Sequence, residues 1–178
     1  MWMFVFSYLG MFSGDMYLIF GLVMLVTLPL WVKGANLYYQ SGNTFMGHFY
    51  MVFGIMFAGI IAVCYIALYL SHVFPALVMD ERVMGIFYLV AGVFLIPTVP
   101  SYLYLDKVNL ITWSGCTIWL FAGGIFYFYY TSVILYWINV VCCVLVAIGV
   151  TYMMVNEAYQ MCYGRSLPMG KPLKSWES

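Results

Sequence analysis

Residues 108–156 read VNLITWSGCTIWLFAGGIFYFYYTSVILYWINVVCCVLVAIGVTYMMVN and contain no Asp, Glu, Lys, Arg or His. As one helix rising about 1.5 Å per residue, this stretch would be about 74 Å long, more than twice the ~30 Å hydrocarbon core of a bilayer. Because each backbone polar group in lipid needs a partner within the protein, two transmembrane helices and a short turn are the simplest solution. The polar interruption near the middle predicts the turn at Tyr129, Tyr130, Thr131 and Ser132.

The composition of the whole chain is that of a membrane protein. Of its 178 residues, 66% are hydrophobic and 7% are charged. Ordinary soluble domains are about 25% charged. Six basic and six acidic residues cancel, so the chain offers no basic face for nucleic acid. We therefore exclude a soluble fold and expect no nucleic-acid binding.

The apolar runs predict an all-α, polytopic transmembrane protein with about five membrane-spanning helices. These spans are expected at residues 16–32, 45–70, 83–105, 109–129 and 133–158. They form one transmembrane domain, residues 1–158, followed by a polar C-terminal tail, residues 159–178. The segment 1–12 is too short to span and rich in aromatic residues, which favour the headgroup boundary. We expect it to lie in the interface or to pack on a neighbour.

The basic residues predict the orientation of the chain in its membrane. With five spans, Arg82 falls on one side, and the other five basic residues share the opposite side. Those five are Lys33, Lys107, Arg165, Lys171 and Lys174. Because loops on the cytoplasmic side carry an excess of Lys and Arg, we expect the C-terminus on the matrix or cytoplasmic side.

Few residues suit catalysis or metal binding. Four of the five cysteines fall inside apolar runs, and no Cys or His spacing is typical of a zinc or iron–sulfur site. His48 and His72 flank the second span and are about 36 Å apart along a helix, so they cannot bind one haem together. Phosphate-binding loops and nucleophile elbows are also missing. We predict no catalytic residue, no metal and no cofactor of the chain's own.

Two polar residues are candidates for a proton or solute pathway. Asn139 lies within the last span, where a polar side chain usually hydrogen-bonds to another helix but can also contact a solute or quinone. Glu157 adjoins the end of that span, and carboxylates within membranes often belong to proton pathways. The alternative for Glu157 is a solvated acid at a helix end.

Two further patterns concern the shape of the helices. Pro97, Pro100 and Ser101 interrupt the third span, where a broken helix could expose carbonyl groups to a cation or water, although a simple proline kink is more frequent. In the second span, the small residues Gly54, Ala58 and Ala62 recur every four positions. Such a strip predicts close approach of another helix.

We expect a structural, non-catalytic subunit of a larger hetero-oligomeric membrane complex, in contact with other membrane subunits and lipids. The excess of Phe, Val, Gly, Trp, Tyr and Met, whose codons are rich in T and G, favours the mitochondrial inner membrane over a bacterial plasma membrane. That membrane indicates a respiratory-chain or ATP-synthase-type assembly. One alternative is a small proton, ion or solute transporter or channel. Another is a subunit of an electron-transfer complex that contacts lipid, or quinone through a partner.

Overall fold

The structure is a computed structural model and describes residues 1–174, without the side chain of Phe45. Over this range the chain forms helices and no strands. Five helices are long and apolar enough to cross a membrane: Gly14–Gln40, Met46–Val73, Arg82–Tyr104, Lys107–Phe126 and Val133–Tyr163. The prediction of an all-α, multi-pass membrane protein is confirmed. The last four residues of the predicted tail, 175–178, lie outside the described residues.

The described residues form seven α-helices and two irregular helical segments. In chain order they are α1 (Trp2–Tyr8), α2 (Gly14–Gln40), α3 (Thr44–Phe53), a π-helical segment (Gly54–Ile61), α4 (Ala62–Val73), α5 (Arg82–Leu95), a 3₁₀ segment (Ile96–Tyr104), α6 (Lys107–Phe126) and α7 (Val133–Tyr163). The second span is thus continuous through α3, the π-helical segment and α4. The third joins α5 to the 3₁₀ segment.

Two spans are longer than the apolar runs predict. α2 continues to Gln40, eight residues beyond the predicted end of the first span at residue 32. The ring of Tyr50 packs on Gly34, where a Cβ would lie 2.8 Å from Tyr50 Cδ1, so contact with α3 supports the extension. α7 continues to Tyr163 and ends at Gly164, whose φ of 63° is the left-handed conformation common at helix ends.

Helix α1 lies inside the bundle, where we expected an interfacial segment or one packed on a neighbour. Phe4 and Val5 are 4% and 3% exposed. The ring of Phe4 meets those of Phe20 and Trp119 edge to face, with centroids 5.0 and 5.3 Å apart. The aromatic side chains that suggested a headgroup position gain more contact from other rings in the core.

Glycines set the closest contacts between spans. A Cβ on Gly85 of α5 would lie 2.8 Å from the carbonyl oxygen of Gly124, and one on Gly124 would lie 2.5 Å from Leu89 Cγ. A Cβ on Gly21 of α2 would lie 2.8 Å from the carbonyl oxygen of Ala62. Small residues thus let α5 pack on α6, and α2 on the second span, at near-backbone distance.

The bundle has two ends, which we name by what they carry. The loop end holds residues 74–81 and 127–132, and the tail end holds residues 41–43, 105–106 and 164–174. Tyr130 of one loop donates a hydrogen bond to Glu81 of the other, 2.9 Å away, which joins the two loops of the loop end. The turn between α6 and α7 falls where the sequence predicts it.

At the tail end, residues 164–174 fold back over the bundle, and we call them the tail strap. The amide of Leu167 donates to Asn156 Oδ1 of α7 at 2.6 Å. The carbonyl of Met169 accepts from the amide of Val108 at 3.2 Å. Since Val108 belongs to the first turn of α6, where amides have no partner within the helix, the strap also caps α6.

Candidate functional site

The most unusual chemistry within the bundle surrounds Asn139. Its side chain is 0% exposed, yet neither its Oδ1 nor its Nδ2 has a hydrogen-bond partner among the described residues. The indole Nε1 of Trp119, also 0% exposed, is unpartnered as well. A buried polar atom without a partner costs about 1–3 kcal/mol. Three such atoms in one place therefore call for an explanation.

Tyr8 and Tyr88 complete this group, and we call the four residues Tyr8, Tyr88, Trp119 and Asn139 the polar junction. Tyr8 donates a hydrogen bond to the Tyr88 hydroxyl over 3.3 Å. The ring of Tyr88 meets that of Trp119 edge to face, with centroids 5.3 Å apart. Tyr88 and Asn139 both pack beside Gly123 of α6. The four side chains therefore lie together in the core of the bundle.

Four separate helices bring these side chains to one depth. Asn139 lies six residues after the start of α7 and Tyr88 six residues after the start of α5. Trp119 lies seven residues before the end of α6. At about 1.5 Å per residue, all three are about 10 Å below the loop end. Gly123 lets Asn139 and Tyr88 pack close to α6, since a Cβ there would lie 3.0 Å from Asn139 Oδ1 and 3.3 Å from Tyr88 Cδ1.

A cavity of about 200 Å³ lies beside the polar junction at the loop end, and we call it the tyrosine cavity. Glu81 and Ser7 line it together with six tyrosines, which are Tyr8, Tyr17, Tyr65, Tyr127, Tyr130 and Tyr136. Burial, and the hydrogen bond to Glu81 next, raise the pKa of the Tyr130 hydroxyl well above its usual range. The cavity therefore offers neutral hydroxyl groups and one carboxylate.

The Glu81 carboxylate has no basic partner within ion-pairing distance in residues 1–174. Arg82 instead pairs with Asp80, with Nη2 2.7 Å from Oδ2 and Nε 2.9 Å from Oδ1. Hydrogen bonds from the Arg82 side chain and amide hold the pKa of Asp80 below its ordinary value. The negative charge of the loop end therefore remains at the mouth of the tyrosine cavity.

Glu157 lies far from this group. It is exposed on α7, eighteen residues beyond Asn139, which corresponds to about 27 Å along the helix. α7 runs six residues further, to Tyr163, so Glu157 lies within the helix and not at its end as we expected. The structure does not bring Asn139 and Glu157 together.

The 3₁₀ segment contains Pro97, Pro100 and Ser101. Two carbonyl groups at this segment accept hydrogen bonds from local hydroxyls: Thr98 donates to the carbonyl of Leu95 and Ser101 to that of Thr98, each at 2.6 Å. Pro97 also lines an apolar cavity of about 450 Å³. Tyr39, His48, Phe49, Met51, Val52, Phe94, Leu95 and Thr98 form the rest of its lining. We call this second space the apolar cavity.

The small-residue strip of the second span is covered within the chain. Gly54, Ala58 and Ala62 are all buried. A Cβ on Gly54 would lie 2.7 Å from Trp31 Cβ, and Ala62 contacts Gly21. Because α2 supplies both contacts, this strip holds two spans of the same chain together.

The described residues contain no group of three His, Cys, Asp or Glu side chains placed to hold a metal ion. The five cysteines are free thiols, and only Cys162 is exposed. His72 bonds the carbonyl of Leu68 in its own helix at 2.8 Å, and His48 contacts the Tyr39 hydroxyl. Both histidines are thus engaged in local contacts.

No family model, curated protein or solved structure matches this chain. The site is therefore defined by its own geometry. Sequence reasoning identified Asn139 but missed Tyr8, Tyr88 and Trp119. With 17 tyrosines and six tryptophans in the chain, no pattern distinguishes the three that lie beside Asn139.

Proposed function

We propose that this chain is a structural, non-catalytic subunit of a larger hetero-oligomeric membrane complex. The observation that supports this proposal most is a set of apolar side chains exposed on the part of α7 that extends beyond a bilayer. Apolar surface in lipid needs no further cover, whereas apolar surface in water usually marks a protein interface.

The length of α7 places this part outside the membrane. Its 31 residues correspond to about 46 Å, against a hydrocarbon core of about 30 Å. Fitting the whole helix into the core would need a tilt of about 50°, beyond the usual range of about 0–40°. Because Val133 starts at the loop end, the excess of about 16 Å extends from the tail end and begins near Met153.

The exposed side chains of this projection are large. Met154 and Met161 are 65% and 87% exposed, and Val155 and Tyr163 are also exposed. We infer that another subunit covers them. The loop end carries a similar feature, since Val78 is 89% exposed close to the ion pair of Asp80 and Arg82. Neighbours at both ends, with lipids around the spans, suit a subunit embedded in an assembly.

For the membrane we propose the mitochondrial inner membrane, with a respiratory-chain or ATP-synthase-type complex as the assembly. The support is compositional: Phe, Tyr, Trp, Met, Gly and Val are abundant, as in organelle genomes of biased base composition. The basic residues of the tail end favour the matrix side for the C-terminus. Fractionation tests this assignment: the chain should be recovered with the mitochondrial inner membrane, and recovery with another membrane would contradict it.

Native gel electrophoresis of mildly solubilised membranes, followed by mass spectrometry, tests the subunit proposal. We expect the chain to migrate in a large complex with other membrane proteins. The double variant Met154→Glu/Met161→Glu should lose most of that incorporation, because it places charge in the interface. Gln160→Glu, an exposed neighbour on the same helix, is the matched control and should assemble normally. Migration of the unmodified chain as a monomer or homodimer would contradict the proposal.

The apolar cavity favours a second candidate function, contact with a lipid or quinone. Its volume of about 450 Å³ is within the range of ligand pockets, and His48, Tyr39 and Thr98 supply polar groups among apolar ones. A photoactivatable quinone should label peptides that contain His48 or Pro97, and excess unlabelled quinone should compete. If excess phospholipid removes the labelling and excess quinone does not, the occupant of the cavity is a lipid.

Transport is the third candidate, and its residues are dispersed. Asn139 is enclosed, Glu157 is exposed about 27 Å away, and the carbonyls near Pro97 accept bonds from neighbouring hydroxyls. If the chain nevertheless conducts protons or solutes through these residues, Glu157→Gln and Asn139→Leu should reduce the flux of reconstituted protein. Unchanged flux would count against transport.

A further inference from the structure

The polar junction is the point where side chains of four helices meet. Three of its buried polar atoms lack hydrogen-bond partners in the part of the chain that the structure describes. They are both polar atoms of the Asn139 side chain and Nε1 of Trp119. Tyr8 donates its own hydrogen to Tyr88, whose ring packs on Trp119 and lies beside Asn139. The oxygen of Tyr8 therefore retains lone pairs that can accept hydrogen bonds.

We propose that the polar junction is a water-binding site inside the membrane, occupied by one or two water molecules that enter from the tyrosine cavity. Buried waters in proteins make about three hydrogen bonds each, to polar groups that would otherwise have none. This site supplies that number of donors and acceptors within one small volume.

The donors and acceptors balance around a single water. The water accepts the hydrogen of Trp119 Nε1 and donates its own two hydrogens to Asn139 Oδ1 and the Tyr8 oxygen. The Nδ2 group of Asn139 then needs an acceptor, which the Tyr8 oxygen or a second water provides. The absence of a side chain at Gly123 lets Asn139 and Tyr88 pack close to α6, because a Cβ at that position would lie 3.0 Å from Asn139 Oδ1 and 3.3 Å from Tyr88 Cδ1.

Tyr8 connects this site to an entry route. It lines the tyrosine cavity and also bonds Tyr88 of the polar junction. From the mouth of the cavity at Glu81, hydroxyl groups thus lead to Asn139, about 10 Å below the loop end. Further along α7 the buried residues Cys143, Val146 and Ala147 are apolar. Water therefore reaches the polar junction from the loop end, and its route ends part-way through the bundle.

Synchrotron radiolytic footprinting of the protein in its native membrane complex tests this site, because X-rays convert bound water into radicals that oxidise the adjacent side chains. We expect Trp119 to be oxidised although it is fully buried. In Asn139→Leu, which removes the polar anchor, oxidation of Trp119 should fall at least fivefold. Asn139→Ser keeps a hydroxyl and leaves space for water, so its rate should stay within about twofold of the wild type.

Tyr129, which is 64% exposed in the loop before α7, serves as the internal standard and should react equally in all three proteins. The proposal is overturned if Trp119 stays unmodified at doses that oxidise Tyr129, or if Asn139→Leu leaves the Trp119 rate unchanged. If Asn139→Leu does not fold, a high-resolution density map of the unmodified protein tests the water site instead. A water peak bonded to Trp119 Nε1 and Asn139 supports the site, and a dry, direct bond from Asn139 to Tyr8 excludes it.

Discussion

At the scale of single residues, the helix contacts depend on glycines that the sequence alone does not rank. The chain has 16 glycines, and most have space for a methyl group or a flexible neighbour beside them. Gly21, Gly85 and Gly124 differ, because a Cβ at each would lie within 3.0 Å of a backbone carbonyl oxygen of another helix. Backbone atoms cannot move aside as a side chain can, so these three positions are more restrictive than those that face flexible side chains.

We predict that Gly124→Ala destabilises the protein by about 1–3 kcal/mol, the usual cost of overpacking. The added methyl group would lie 2.5 Å from Leu89 Cγ and 3.0 Å from the Gly85 carbonyl oxygen. Gly115→Ala in the same helix is the control, since its methyl group meets Val146 at an ordinary 3.5 Å. It should be neutral, or stabilising by up to about 1 kcal/mol through helix propensity. Thermal unfolding in detergent compares the two, and equal midpoints would contradict the close approach.

Asp80 should show the influence of Arg82 in a pH titration. Its pKa is depressed in the folded protein, so the pairing stabilises the fold above the ordinary pKa of about 3.8 and is lost as pH falls through the lower, folded value. In Arg82→Gln the pKa of Asp80 should rise towards 3.8 but stay below it, since the amide of residue 82 still donates to Oδ1. The ¹³C resonance of the Asp80 carboxyl measures the shift, and Arg165→Gln should leave it unchanged.

At the scale of elements, the apolar pattern predicts where helices exist better than how they end or vary. The five spans follow from apolar length alone. The π-helical segment within the second span has no comparable signal, because its residues are as apolar as those of the α-helices beside it. The position of α1 is missed for a related reason: a short aromatic helix suits a headgroup region and a protein core equally well, and only tertiary packing decides.

The tail strap makes a further prediction at this scale. In Asn156→Leu the amide of Leu167 loses its acceptor, which should weaken the strap by about 1 kcal/mol. Trypsin should then cleave after Arg165 about fivefold faster, and the Val108 amide should exchange its hydrogen faster. Glu157→Gln, the exposed neighbour on α7, is the control. Equal cleavage in all three proteins would show that Asn156 does not hold the strap.

At the scale of the whole molecule, the distribution of charge separates the two ends. The tail end carries Lys107, Arg165, Lys171 and Lys174, whereas Arg82 at the loop end is neutralised by Asp80. Hydropathy and charge are therefore enough to predict the spans and an orientation. They could not predict the polar junction, because its members come from four helices that are distant in sequence.

Thiol labelling of intact vesicles tests the orientation. With Cys162 replaced by Ser, Ser13→Cys introduces an exposed thiol at the loop end and Ser166→Cys one at the tail end. In mitochondria without their outer membrane, a membrane-impermeant maleimide should label Ser13→Cys directly. It should label Ser166→Cys only after the inner membrane is opened. The reverse pattern would assign the tail end to the opposite side.

The burial of α1 constrains the order in which the protein assembles. Seven residues are too few to insert across a bilayer alone, since a span needs about 20. Phe4 finds its ring partners on α2, the π-helical segment, α5 and α6, so its binding place does not exist until those helices have come together. We therefore expect α1, although it precedes these helices in the sequence, to dock only after they have been made and have packed together.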